Sequence, residues 1–244
     1  MADEFFWIIG AAIIDALLGF IGVFSLWISK ANMEKLSHIL MAFAAGSLLG
    51  GAFLHLLPES LESFNPESVL LFTLAGFVLF IFLETYVHWH HCKECDIHPF
   101  SYMVLIGDGV HNFLGGLILA ASFLVSIPLG IATLVAIVAH ELPQQLGIFG
   151  TLIKGGLSRN KAITYSFISQ STIIGGAFVG YILSGAVDGI SLYLVPFAAG
   201  NFIYIAAADL IPEMHKSEGW DKIKNLTILF AGILFMWALK VFGS

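Results

Sequence analysis

Ala44-Ala45-Gly46, followed by His55-Leu56-Leu57-Pro58-Glu59, returns as Ala198-Ala199-Gly200 followed by Asp209-Leu210-Ile211-Pro212-Glu213, every residue 154 positions on. Both copies sit in long apolar stretches. The hydrocarbon core of a bilayer takes about 20 apolar residues as helix. That ruler places spans near 5–27, 36–57, 68–90, 101–125, 129–153, 162–184, 190–212 and 225–242, numbered 1 to 8. The first copy closes span 2 and the second closes span 7, which cross in opposite directions, so the repeat is inverted. The same shift maps span 1 onto span 6 and span 3 onto span 8, leaving spans 4 and 5 as a central pair. The expected fold is an all-α membrane protein: eight transmembrane helices in a 3+2+3 inverted-repeat arrangement, one polytopic domain over 1–244. Inverted repeats mark secondary transporters, whose sites lie near the bilayer midplane.

Composition agrees. The 244 residues are 58% hydrophobic and 11% charged, with mean hydropathy +0.92, against roughly a quarter charged in soluble domains. The net charge of −7 provides no basic surface, so no nucleic-acid partner is expected. Cys92 and Cys95 are too close together to staple distant segments. Asp3 and Glu4 stand where a signal peptide would be basic, so no cleavable leader is expected. Of the 10 Lys and Arg residues, all but Lys240 fall in the connections after spans 1, 3, 5 and 7, while the opposite connections carry Glu59, Glu62, Glu67 and Asp188. The positive-inside rule puts the basic connections in the cytoplasm and both termini outside.

An ionisable group within a span costs roughly 2.5–3.5 kcal/mol on insertion scales and therefore needs a reason to be there. Span 4 places Asp108, His111, Asn112 and Gly115 on one helical face. Span 5 carries His140, Glu141 and Gln144, with His140 and Gln144 one turn apart. Imidazole suits zinc and its borderline neighbours, and a carboxylate neutralises charge, so the pair can form a divalent-metal site. Pro143 cannot donate to the Ala139 carbonyl, which frees backbone oxygen or kinks the helix. Asp15, Glu84 and Asp209 are further polar residues in spans, serving the pathway or bonding helix to helix. His55, near the outer end of span 2, is the better candidate for an entrance pathway; Asp108 is a candidate for the same pathway or for supporting the ligands.

Asp108-Gly109-Val110-His111-Asn112-Phe113 and His140-Glu141-Leu142-Pro143-Gln144 resemble the two signature helices of the ZIP family of zinc and iron transporters. The resemblance covers nearly the whole chain, including the Leu-Pro-Glu end of span 2, its Ile-Pro-Glu counterpart in span 7, and a His-bearing loop after span 3. It implies a binuclear metal centre in spans 4 and 5. Carried over by position, His111, His140 and Gln144 fall at one metal, and Asn112 and Glu141 at its neighbour. The family usually has an acid at position 115, here Gly115. It has Glu or His at 144 or Glu at 145, and often Asp at 148, where Gln144, Gln145 and Ile148 stand. Relatives often have Asp at Gly51. The lost groups are mostly anionic, which leads us to expect at most one tightly held metal, weaker affinity or reduced transport.

His88, His90, His91, Cys92, Cys95 and His98 bracket the connection between spans 3 and 4. Cys-x-x-Cys with nearby His can hold zinc tetrahedrally, and cytoplasmic thiols stay reduced. These residues either bind exiting metal or, with Trp89, anchor the span end at the interface.

The function expected is transport of a divalent metal, zinc first, toward the cytoplasm across a plasma membrane; the direction is what the resemblance implies. The metal is substrate, and no cofactor is expected. The partners are the metal ion and the lipid bilayer, with a homodimer as an assembly the chain allows. Two alternatives belong to other classes. A metal-responsive, non-transporting membrane protein would need fewer carboxylates. An intramembrane metalloprotease would use His140-Glu141-x-x-Gln144 as a zinc motif, but the second His is missing.

Overall fold

A computed structural model describes residues 2–26, 30–89, 97–154, 156–186, 189–215 and 219–243. Among these residues every regular element is a helix. Eight stretches are long and apolar enough to cross a membrane: Asp3–Ile21, His38–Ser63, Pro66–Leu83, Val104–Val125, Ile127–Gly150, Arg159–Ser184, Ser191–Ala208 and Gly219–Phe242. They overlap, in order, the eight spans expected and keep the same numbers.

The bundle is apolar outside and polar within. Phe6, Leu70, Phe82, Ile106 and Leu234 are each more than half exposed, while Asp15, Asp108, His140 and Glu141 are buried. In lipid there is no gain in hiding Leu or Phe, so the exterior keeps them and the interior takes small residues and hydrogen-bonded polar ones. Spans 1, 4, 5 and 6 pack together, as do 2, 3, 7 and 8, and span 5 also leans on span 2.

Several local features recur at the repeat spacing. Span 2 contains a π-helical turn at Gly51–Leu56, and span 7 contains one at Ile205–Leu210, again 154 residues on. In each, the N–H after the turn donates five residues back, from Leu57 to the Ala52 oxygen and from Ile211 to the Ala206 oxygen. Pro58 and Pro212 follow immediately and have no N–H to continue the α ladder. The carbonyl of Leu54, which Pro58 cannot reach as a donor, accepts from the Lys240 Nζ at 2.8 Å. The one basic residue outside the connections after spans 1, 3, 5 and 7 thus bonds span 8 to span 2. Spans 1 and 6 also break at matched positions. The α-helix Ala2–Ala16 passes into a 3₁₀ helix at Leu17–Leu26, and Arg159–Gln170 is separated from Thr172–Ala186 by a turn at Ser171.

Glycine contacts repeat in the same way. Spans 2 and 8 cross where Gly46 meets the Leu229 carbonyl and Gly232 meets the Phe43 carbonyl. Spans 3 and 7 cross where Gly200 meets the Thr73 carbonyl and Gly76 meets the Phe197 carbonyl. Gly46 and Gly200, like Phe43 and Phe197, are 154 apart. At all four glycines a Cβ would overlap main chain of the partner helix.

Candidate metal centre

Spans 4 and 5 belong to helices Ile97–Val125 and Ile127–Lys154, joined through Ser126. They run antiparallel: Gly130 lies against the Phe123 ring, His111 meets His140, and Asp108 meets Gln144. The faces read from helical periodicity are therefore brought edge to edge at one level.

The Nε2 atoms of His111 and His140 are 3.2 Å apart. Glu141 Oε1 lies 3.3 Å from the first and 3.6 Å from the second. Among the described residues, these three side chains are the group of His, Cys, Asp or Glu whose ligand atoms converge closely enough to hold one ion. Tetrahedral zinc, with bonds of about 2.0–2.2 Å to nitrogen and oxygen, needs ligand-to-ligand edges of roughly 3.3 Å. The three distances match that triangle, and the fourth corner remains for water or a further ligand. His140 Nδ1–H donates to the Ala136 carbonyl at 3.0 Å, which leaves its Nε2 lone pair facing the cluster. Phe80 stands edge-on to His111 and Phe202 packs beside His140, screening both rings. His140 and Glu141 are almost fully buried, whereas the side chain of His111 keeps 18% exposure. That exposed edge is where an ion could reach the cluster.

The remaining candidates take other places. Asn112 Nδ2 donates to the Asp108 carbonyl at 3.0 Å, and its Oδ1 is buried without a partner. Glu141 Oε2 is likewise buried and unpartnered. Gln144 does not face the imidazoles with its donor end: Nε2 donates to Asp108 Oδ1 at 3.1 Å. The Asp108 carboxylate also accepts from Gln145 Nε2, at 3.1 and 3.2 Å. His55 Nε2–H donates to the Met236 carbonyl at 2.8 Å, so His55 bonds span 2 to span 8. His88 and His98 fall in helices Pro66–Trp89 and Ile97–Val125. His90, His91, Cys92 and Cys95 lie outside the described residues.

Residues the motif pair did not single out extend the polar interior. Gln145 Nε2 also donates to Gln170 Oε1 at 2.5 Å, and Gln170 Nε2 donates to Asp15 Oδ2 at 2.7 Å. Gln145 was marked by the family's acid at that position and Asp15 as a polar residue in an apolar span, but nothing in the sequence paired Asp15 with Gln170, 155 positions away.

The absent acids have different local reasons. A Cβ at Gly51 would sit 3.2 Å from the Ala136 Cβ and 3.5 Å from the Phe202 ring, which leaves no room for an Asp between spans 2 and 5. At Gly115 a Cβ meets nothing within 4 Å. Gly115→Asp is therefore expected to fold and to tighten zinc binding about tenfold, the effect of one added charged ligand. Gln144→Glu should instead destabilise the metal-free protein, since it replaces a donor to Asp108 by a second carboxylate. Zinc titration by indicator competition compares the two; unchanged affinity in folded Gly115→Asp would show that its face does not reach the ion.

Eight apolar helices around a buried imidazole–carboxylate cluster define a multi-pass membrane protein with metal-binding chemistry at its centre. A family model described as ZIP zinc transporter matches residues 5–99 and 89–240. Zinc transporter ZIP13 of Pongo abelii is 31% identical over 93% of this chain and 76% of its own length. Zinc transporter ZIP13 of Mus musculus is 28% identical over 93% of this chain and 78% of its length. Zinc transporter ZIP10 of Mus musculus is 34% identical over 61% of this chain, which corresponds to only 19% of that longer protein. The chain belongs to the ZIP zinc transporter family. Members of that family are transporters rather than enzymes, and the protease alternative falls with that.

Proposed function

We propose that this protein moves a divalent metal, zinc foremost, across a plasma membrane toward the cytoplasm through the site of His111, His140 and Glu141. The observation that carries this is the triangle of 3.2, 3.3 and 3.6 Å between three ligand atoms on adjacent spans, two of them on buried side chains. Borderline nitrogen donors with one carboxylate favour zinc over hard cations such as magnesium or calcium. The unpartnered oxygens of Asn112 and Glu141 support a weaker, oxygen-lined neighbouring position. With Gly115 and Gln144 in place of acids, the first ion is held tightly and the second loosely. Gln144 and Asp108 act next to the ligands, and His55 belongs to the outer approach.

The matched π turns, glycine crossings and breaks support a 3+2+3 inverted repeat. Movement of spans 1, 4, 5 and 6 against spans 2, 3, 7 and 8 would expose the site to each side in turn. Both termini face outward. The loop with Cys92 and Cys95 receives metal on the cytoplasmic side; Cys92→Ser with Cys95→Ser is expected to change zinc binding by the loop and leave uptake within twofold. Loss of all flux in that variant would place the thiols in the transport path or the fold.

The deciding test is uptake by purified protein in liposomes with zinc, iron, manganese and cadmium compared. Saturable zinc entry is the expected result. Zinc binding with no flux for any of the four would make the protein a metal-responsive one that does not transport.

A further inference from the structure

Asp15 is a fully buried carboxyl group, at 0% exposure, and the metal triangle does not use it. It stands where span 1 changes from α to 3₁₀ helix, opposite the turn that interrupts span 6. Its Oδ2 accepts from Gln170, whose Oε1 accepts from Gln145, whose Nε2 also donates to Asp108. Asp108 in turn holds Gln144. Four helices, those of spans 1, 6, 5 and 4, are thus linked by one buried chain that ends beside the imidazoles.

The chain has only one workable polarity. An amide has a donor end and an acceptor end, and Asp15 Oδ2 and both Asp108 oxygens stand here as acceptors. Asp15 demands the donor end of Gln170, so the acceptor end of Gln170 must face Gln145. Asp108 and Gln170 then both demand the donor end of Gln145. If the Gln145 amide turned over, its oxygen would face three acceptor oxygens and no hydrogen. Its Oε1 is consequently forced to the other side, where it is buried and unpartnered. A buried acceptor without a partner is costly, and here the Asp108 carboxylate and the Gln170 oxygen impose it. On span 5, Gln145 follows Glu141 by one helical turn, and the second carboxylate oxygen of Glu141 is also unpartnered.

We propose that Asp15 is a positioning residue for the metal centre: acting through Gln170 and Gln145, its carboxyl group holds the span 5 amide with its donor end committed and its oxygen free for a cation. This rests on the function proposed above and assigns to span 1 a part in setting how strongly the site holds its ion. It also explains how a chain lacking acids at 115 and 144 keeps an acceptor-rich centre.

The test is zinc uptake in liposomes by the full chain, with KM and kcat separated, for the parent, Asp15→Asn, and Asp15→Asn combined with Gln170→Glu. Asp15→Asn is isosteric, but its own N–H can donate to Gln170, so the amide chain loses its single polarity. KM for zinc should rise about tenfold with kcat within twofold, the size expected when one buried hydrogen bond is lost. The double variant moves the carboxylate one link along: it accepts from the new amide at 15 and from Gln145. Gln145 is then held as before, and KM should return to within twofold of the parent. Zinc affinity measured by indicator competition on the same three proteins in detergent should follow the same order. Asp15→Asn with a parental KM and affinity would overturn the proposal. So would a double variant as impaired as the single one, because the carboxyl group would then act at position 15 alone. Failure of the parent to take up zinc would instead count against the transport function, and the affinity series would still decide the role of Asp15.

Discussion

His140→Ala should bring zinc uptake to background while the protein still folds. His140 supplies an Nε2 atom 3.2 Å from its counterpart on His111 and 3.6 Å from Glu141 Oε1, and no other imidazole among the described residues converges on that point. Removing a group that merely orients a metal ligand costs roughly 10–100-fold in affinity or activity, so loss of the ligand itself should cost more. The fold should survive because the other ring nitrogen bonds only to the Ala136 carbonyl, one turn back on the same helix. His111→Ala should behave alike, since its ring completes the same edge. Uptake by either variant within twofold of the parent, at matched reconstitution, would remove the central helix pair from the transport path. Loss of uptake with loss of a monodisperse detergent-solubilised peak would point to folding instead, and zinc binding by the surviving material would separate the two.

The second large effect is structural. Gly200→Ala should destabilise the protein by about 3 kcal/mol, the upper end for inserting one carbon where nothing yields. The added Cβ would overlap the Thr73 carbonyl oxygen, with the Phe77 amide also inside contact distance. Both are backbone, and a helix cannot move a single carbonyl without shifting its neighbours. Gly46→Ala should match it at the crossing of spans 2 and 8, where the Leu229 carbonyl occupies the space. Gly10→Ala is the control: its Cβ meets nothing within 4 Å, so it should leave the melting temperature of the solubilised protein unchanged or slightly higher. Equal melting temperatures for all three variants would show that the helices do not cross as closely as the structure has them.

Much of this protein is legible from its residues in order. Span number follows from hydropathy because a bilayer demands about 20 apolar residues per crossing. The repeat is visible because Ala-Ala-Gly and Pro-Glu recur at one spacing, and the π turns at Gly51–Leu56 and Ile205–Leu210 fall inside those copies. His111 and His140 were legible too, as imidazoles in apolar spans, whereas Glu141, which the resemblance assigns with Asn112 to a neighbouring ion, was brought to both imidazoles only by the packing. Which face meets which partner is another matter. It depends on the rotation of each helix about its axis and on the crossing angle, and these are set by contacts such as Gly76 on the Phe197 carbonyl rather than by local propensity. So the sequence alone determined that Gln144 is polar and one turn from His140, but the tertiary structure decided that its amide nitrogen belongs to Asp108. Likewise the sequence placed Asp15 and Gln170 in apolar spans and stopped there. Their 2.7 Å hydrogen bond exists because two broken helices pass each other at matched positions, and only the packed bundle creates that meeting point.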